Sequence, residues 1–312
     1  MADGKRIVII GGVAGGASAA ARARRLSESA QITILERGAD ISFANCGLPY
    51  HIGGAIPQRE RLLVQTPKAM HRRFNIDVRV RHEAVRIDRD AHQVHVRRLD
   101  TGEEFALPYD ELILSPGAEP LRPPIPGLEG PGVHTLRTLG DMDAIKGVVD
   151  GGVSAGAVVI GGGYIGLEMT EALRERGIDV TLVELADQVF VALDREMAAP
   201  LHQQLSLHGV RLRLGSSVTA MRRDGGVMHL RLSDGQEIAC GLVIVAVGVR
   251  PEVTLAREAG LELGATGGIL VDDHMRTSDP HIFAVGDAVE VRNFVSGAAG
   301  LVPLAGPANR QG

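Results

Sequence analysis

An α/β fold built from two copies of one strand–turn–helix–strand unit is predicted by three observations. An apolar, β-branched run meets a glycine-rich turn at Arg6–Gly16, and the same order returns at Val158–Gly166. Each copy is then closed by a second apolar run ending in a Gly-x-x-Pro turn, at Tyr109–Pro120 and Cys240–Pro251. A chain of 312 residues is long enough for about two domains, one for each copy.

The first copy is compact. Arg6-Ile-Val-Ile-Ile10 reads as a buried parallel strand, followed by Gly11, Gly12, Val13, Ala14, Gly15 and Gly16. Ala17–Leu26 has helix-forming composition, Ile32–Leu35 is a second strand, and Glu36 stands at its end. This is the order a dinucleotide-binding βαβ unit needs. The glycines let backbone N–H groups reach a pyrophosphate at the helix N-terminus, and Glu36 can accept from ribose hydroxyls. Val13 occupies the place of the second glycine of GxGxxG, so a plain glycine-rich turn is the alternative for this copy alone.

The second copy is complete. Val158–Ile160 leads into Gly161-Gly162-Gly163-Tyr164-Ile165-Gly166, Leu167–Arg176 makes the helix, and Val180–Val183 ends at Glu184. Glu36 follows Gly11 by 25 residues and Glu184 follows Gly161 by 23. Two Rossmann-like domains are therefore expected, for two dinucleotides between which electrons pass; a duplication with one dead site is the alternative. An acid at Glu184 bonds a ribose 2′-OH and repels a 2′-phosphate, which favours NADH over NADPH. Ser115–Gly127 carries five prolines and reads as a stiff linker. The expected plan is a first domain over 1–115, a second, inserted domain over 120–248, and a return to the first over 249–312.

Composition narrows the function. Lys and Arg number 33 against 38 Asp and Glu, a formal charge of −5 that offers no basic field to nucleic acid or an anionic membrane. Tryptophan is absent and only 3 Tyr and 6 Phe are present, too few for single-strand stacking platforms. No signal peptide opens the chain, and its uncharged runs are broken by Gly or Pro, so a cytoplasmic setting without a membrane span is expected. Two cysteines exclude a disulfide scaffold and CxxC motifs, and the histidines show no metal-ligand spacing.

Cys46 lies in Ile41-Ser-Phe-Ala-Asn-Cys-Gly-Leu-Pro-Tyr50, at the start of a short helix bracketed by Pro49 and Gly53-Gly54. A helix N-terminus lowers a thiol's pKa, and a position just after the first dinucleotide unit should set Cys46 beside that cofactor. A redox role is the reading preferred over an inert buried thiol. Cys240 reads as a core residue, and His51 as a neighbour of the thiol or simply a polar loop residue. Asp287 ends the run Phe283-Ala-Val-Gly-Asp287 as a ligand-facing acid or as a helix N-cap before Ala288.

Together these residues resemble the flavoprotein pyridine nucleotide–disulfide reductases, in their single-cysteine branch of coenzyme A-disulfide reductases, polysulfide or persulfide reductases, NADH oxidases and NADH peroxidases. Ser42–Tyr50 and Val13 in its glycine turn are most similar to the coenzyme A-disulfide and polysulfide reductases. Thr277–Asp287 is similar to the second flavin motif, and Leu301–Gln311 to the segment that covers the flavin ring. The resemblance implies FAD on Gly11–Gly16, Glu36, Asp287 and the Pro303, Leu304 and Ala308 segment. It implies NADH on Gly161–Gly166 and Glu184, with Tyr164 gating the nicotinamide and Glu168 at its carboxamide. Arg37, Asn45, Val85, Ser115, Gly117, Gly248 and Gly286 complete the implied cofactor set. Coenzyme A would meet Ser18, Arg22, Arg25, Ser42 and Asn45, with Phe74 standing where that branch carries a lysine. Cys46 would form the mixed disulfide or persulfide. A dimerisation domain beyond Gly312 and a homodimer are implied for full-length members. A Cys46 sulfenic acid acting on oxygen or peroxide is the rival chemistry, and a cofactor-binding module without sulfur chemistry the reading of another class. The two-domain thioredoxin reductases are excluded by the missing CxxC.

Overall fold

A computed structural model describes residues 4–312. Arg6–Ile10 forms β1, Gly15–Leu26 α1 and Gln31–Glu36 β2. One turn of 3-10 helix at Asn45–Gly47 leads into α2, Leu48–Gly53. Asp77–Val80 is β3, Glu111–Leu114 is β4 and Leu139–Asp150 is α3. Ala157–Ile160 (β5), Tyr164–Glu175 (α4) and Val180–Val183 (β6) repeat the opening order. Arg211–Arg213 (β7), Leu242–Val245 (β8), Ile282–Ala284 (β9) and Ala305–Gln311 (α5) follow.

The chain divides into two units. Of the described residues, one holds 4–43, Leu63–Glu119 and Arg250–Gly312; the other holds Ala44–Leu62 and Pro120–Val249. In the first, a parallel sheet runs β9-β4-β1-β2-β3, with Ile10 level with both Leu35 and Leu114. Ala19 and Ala20 of α1 pack on Ile9, Ile32 and Ile34, and these short side chains let the helix lie close to the sheet. On the opposite face Val8, Ile10 and Leu112 meet Val94 and Val96 from an antiparallel sheet of His82–Asp88, Gln93–Arg98 and Glu104–Pro108.

The second unit repeats this plan. Its parallel sheet runs β7-β6-β5-β8, then Val133–His134, and every residue of β5, β6 and β8 is buried. Such buried runs, apolar except for Thr181, are what a sheet covered on both faces requires. An antiparallel sheet of Val218–Asp224, Val227–Leu232 and Glu237–Cys240 packs on it. Even an irregularity is shared: pairing register shifts between Ala84 and Arg86 in one antiparallel sheet and between Val218 and Ala220 in the other.

One segment differs from the expected plan. Residues 44–62, expected in the first domain by chain order, pack with the second unit, where α2 lies on α3 and α4. Gly53 approaches Ala172 so closely that a Cβ would stand 3.1 Å from its Cα. Arg176 donates to the Ile52 carbonyl at 3.1 Å, and Arg59 grips Asp143 with bonds of 3.0 and 3.1 Å. No helix of the described residues is long and apolar enough to cross a membrane.

Candidate active site

Each unit carries the same glycine turn, matched bond for bond. Gly11 takes φ +92° and Gly161 φ +105°, and their N–H groups donate to Leu35 and Val183 carbonyls at 2.9 and 2.8 Å. A Cβ on Gly16 or Gly166 would collide with the carbonyl oxygen of Gly11 or Gly161, so each helix start closes directly onto its strand end. The Gly12 N–H donates to Glu36 Oε2 at 3.0 Å and the Gly162 N–H to Glu184 Oε2 at 2.6 Å. The other oxygens accept from Gly38 and Ala186 at 2.7 and 2.8 Å. Each carboxylate is thus fixed at its strand end, and its remaining lone pairs can meet ribose hydroxyls.

Val13 ceases to be an anomaly. At the matching position Gly163 has φ −81°, and a Cβ there would meet no atom within 4 Å. The fold itself makes no demand for glycine at this place; only a closely approaching ligand does, so a dinucleotide in the first unit would pass Val13 at a greater distance than one in the second passes Gly163. The open space before Gly163 and the two fixed acids fit two dinucleotides.

Around α1 the first site gathers several predicted residues. Ser115 Oγ accepts the Gly16 N–H at 3.0 Å, and Gly15 is walled by Val285, Ser115 and Ala308. Gly286 takes φ +84° and Gly117 φ +75°, while Gly248 at φ +119° holds the place of Gly117 in the second unit. Ala308 is buried, whereas Pro303 and Leu304 are exposed just ahead of α5. Two side chains were not singled out from sequence. Gln311 Oε1 accepts the Gly286 N–H at 2.7 Å, and Asn309 Oδ1 accepts the Ser18 hydroxyl at 2.9 Å. Only their place in the Leu301–Gln311 segment signalled them.

Other predicted residues are more dispersed. No helix starts at Ala288: Asp287 sits in the turn between β9 and the strand Val289–Arg292, which removes its N-cap reading and leaves the strand-end one. Arg37 pairs with Glu119 at 3.9 Å, and half-buried Val85 lies at the register shift. Ser18, Arg22 and Arg25 follow one stripe of α1, both arginines being exposed. Ser42 belongs to the same unit but Asn45 to the other. Phe74, at the branch's lysine position, packs against the Ile9–Ile34 core instead.

In the second unit Tyr164 and Ile165 open α4, and Glu168 lies half-buried one turn later. Burial, reinforced by Glu171, raises the Glu168 carboxyl above its ordinary range. Cys46 stands exposed in the 3-10 turn ahead of α2. Tyr50, one helical turn further on, has its hydroxyl pKa raised chiefly by Glu168, then by partial burial, Glu171, Cys46 and Glu175. His51 is buried, with Nδ1 at 2.6 Å from the Ile56 carbonyl, so it braces the loop. Cys240 is fully buried, and burial pushes its thiol up to about 11. One thiol per chain should therefore react with N-ethylmaleimide at pH 7.5, and two after denaturation in guanidinium. Equal native labelling of both, read by mass spectrometry, would contradict this assignment.

Residues 5–312 match the family described as pyridine nucleotide-disulphide oxidoreductase. The chain belongs to that family. Among its relatives, an NADH oxidase of Methanocaldococcus jannaschii is 36% identical over 98% of this chain and 68% of its own length. A coenzyme A disulfide reductase of Staphylococcus haemolyticus is 34% identical, again over 98% and 68%. The structure of reduced Bacillus anthracis CoADR-RHD superposes with a TM-score of 0.96 at 51% identity, covering 99% of this chain. This chain spans 55% of that protein's length.

Proposed function

We propose that this chain is the dinucleotide-binding part of an FAD-dependent reductase that takes electrons from NADH and delivers them to a sulfur–sulfur bond held at Cys46. The observation that carries the reading is the pairing of two equivalent dinucleotide turns with a single exposed cysteine. The unit built on β1 holds FAD and the unit built on β5 holds NADH, in preference to NADPH because Glu184 is fixed where a 2′-phosphate would lie. The flavin, when bound, supplies the route for two electrons from a hydride donor to sulfur.

The chain's own part is the thiol chemistry. Cys46 as thiolate attacks one sulfur of R–S–S–R, forming a mixed disulfide and releasing R–S⁻, which takes a proton. Two electrons then cleave the mixed disulfide, freeing the second R–SH and restoring the thiolate. The sum is R–S–S–R plus NADH plus H⁺ giving two R–SH and NAD⁺. A persulfide or polysulfide enters in the same way, because the substrate supplies the second sulfur. Coenzyme A disulfide is a candidate through the relative that reduces it and the exposed Arg22 and Arg25, whose guanidinium groups suit phosphates. A free exposed thiol suits the reducing cytoplasm, and the full-length enzyme is read as a homodimer by family resemblance.

The relative named NADH oxidase favours a second reading, in which a Cys46 sulfenic acid cycles with oxygen or peroxide. The purified holoprotein, yellow with bound flavin, decides between them. Oxidation of NADH should accelerate with coenzyme A disulfide or polysulfide under argon, and more slowly with NADPH as donor. Turnover only in the presence of oxygen would favour the second reading.

A further inference from the structure

We propose that Phe190 is a positioning residue of the second nucleotide site, parking the Tyr164 ring clear of the path that the nicotinamide half of NADH must take. The proposal rests on reading this unit as the NADH site. The two rings meet edge to face, with centroids 4.3 Å apart and planes at 87°. Even with Phe190 in place Tyr164 is 64% exposed at the first residue of α4, and the edge-to-face contact with Phe190 is the ring contact that holds it.

The backbone shows that this placement is imposed. Phe190 has φ +52°, a left-handed conformation that a bulky residue adopts at a cost. Its N–H donates to the Gly162 carbonyl at 2.8 Å, and its neighbour Val189 covers the α-carbon face of Gly162. The first unit holds the same device without the ring. Ser42 stands six residues after Glu36, as Phe190 does after Glu184, with φ +45° and an N–H bond to the Gly12 carbonyl at 2.9 Å. Ile41 covers Gly12 as Val189 covers Gly162. The left-handed turn is therefore part of the duplicated scaffold, and the aromatic side chain is what the second unit adds to it. At the helix position of Tyr164 the first unit has only Ala14, so neither member of the pair has a counterpart there.

Topology sets the direction. Phe190 lies on the loop after β6, the side on which Glu184 receives the adenosine ribose. The nicotinamide half must extend the other way, past β5 toward the end of β8, because ligands of such sheets lie across the strand ends. A Tyr164 ring docked on Phe190 leans toward the adenosine side and leaves the β8 side open. Without the Phe190 ring, Tyr164 is free to swing over that opening, and part of the binding energy of NADH is spent on moving it back.

The test compares NADH with ADP-ribose, which lacks the nicotinamide, by calorimetric titration of the flavin-loaded protein after its flavin has been fully reduced with dithionite under argon, so that NADH binds without transferring a hydride. Phe190→Leu keeps apolar bulk against Leu182, Val189 and Val210 but removes the ring. It should weaken NADH about three- to tenfold, the range of an aromatic pair, and leave ADP-ribose unchanged. Phe190→Tyr should restore wild-type binding, and in a Tyr164→Ala background Phe190→Leu should have no further effect. Unchanged NADH affinity in Phe190→Leu, an equal weakening of ADP-ribose, or an effect that persists without Tyr164 overturns the assignment. A wild-type protein that binds neither ligand instead overturns the nucleotide-site reading on which it stands.

Discussion

Replacing Cys46 with serine should lower NADH-driven reduction of disulfide or polysulfide by at least about a thousandfold, the usual scale for removing a covalent nucleophile. Serine keeps the size of the side chain, and its hydroxyl stays protonated at neutral pH, so no mixed disulfide can form. Cys46 is exposed, so the variant should fold and bind flavin as the wild type does. Reduction of bound flavin by NADH, followed at 450 nm, should persist, because hydride transfer does not use the thiol. A variant that turns over polysulfide at the wild-type rate would sink the sulfur mechanism while leaving the two nucleotide sites untouched. Cys240→Ser is the matched control, since that thiol is sealed in the core beside Val158 and Val243.

The second large effect separates two glycines three residues apart. Gly166→Ala should destabilise the protein by about 3 kcal/mol, because the added methyl would collide with the Gly161 carbonyl oxygen, a backbone atom that cannot turn aside. Gly163→Ala should change stability by less than about 0.5 kcal/mol, since φ is −81° and the space ahead is open. Its methyl would instead stand where the pyrophosphate approaches, and NADH should bind at least about tenfold more weakly. Urea unfolding and NADH titration measure the two quantities independently. Equal stability losses in both variants would show that Gly163 serves the fold and not a ligand.

These predictions draw on residues whose roles could be read from sequence to different degrees. The glycines and acids were legible because each answers a local demand. A left-handed φ at Gly11 and Gly161 needs glycine, and the end of a second strand needs an acid if ribose is to be held there. Asp287 was only half legible: an acid after an apolar run suits a strand end or an N-cap, and local sequence does not say whether helix or strand follows. Gln311 and Asn309 escaped notice because a short polar side chain near the end of a helix carries no signature until its partner is known. Their partners, Gly286 and Ser18, lie 25 and 291 residues away.

The amino-acid sequence by itself determined the duplicated strand–turn–helix–strand units, their glycine turns and acids, and the isolation of two cysteines. All of these follow from short-range patterns of burial and backbone conformation. Tertiary structure alone decided that residues 44–62 pack with the second unit and that Phe190 supports Tyr164. The reason is physical. A segment's companion is chosen by the surface it can bury and the bonds it can satisfy, as when Gly53 admits Ala172 and Arg176 reaches the Ile52 carbonyl across 124 residues of chain.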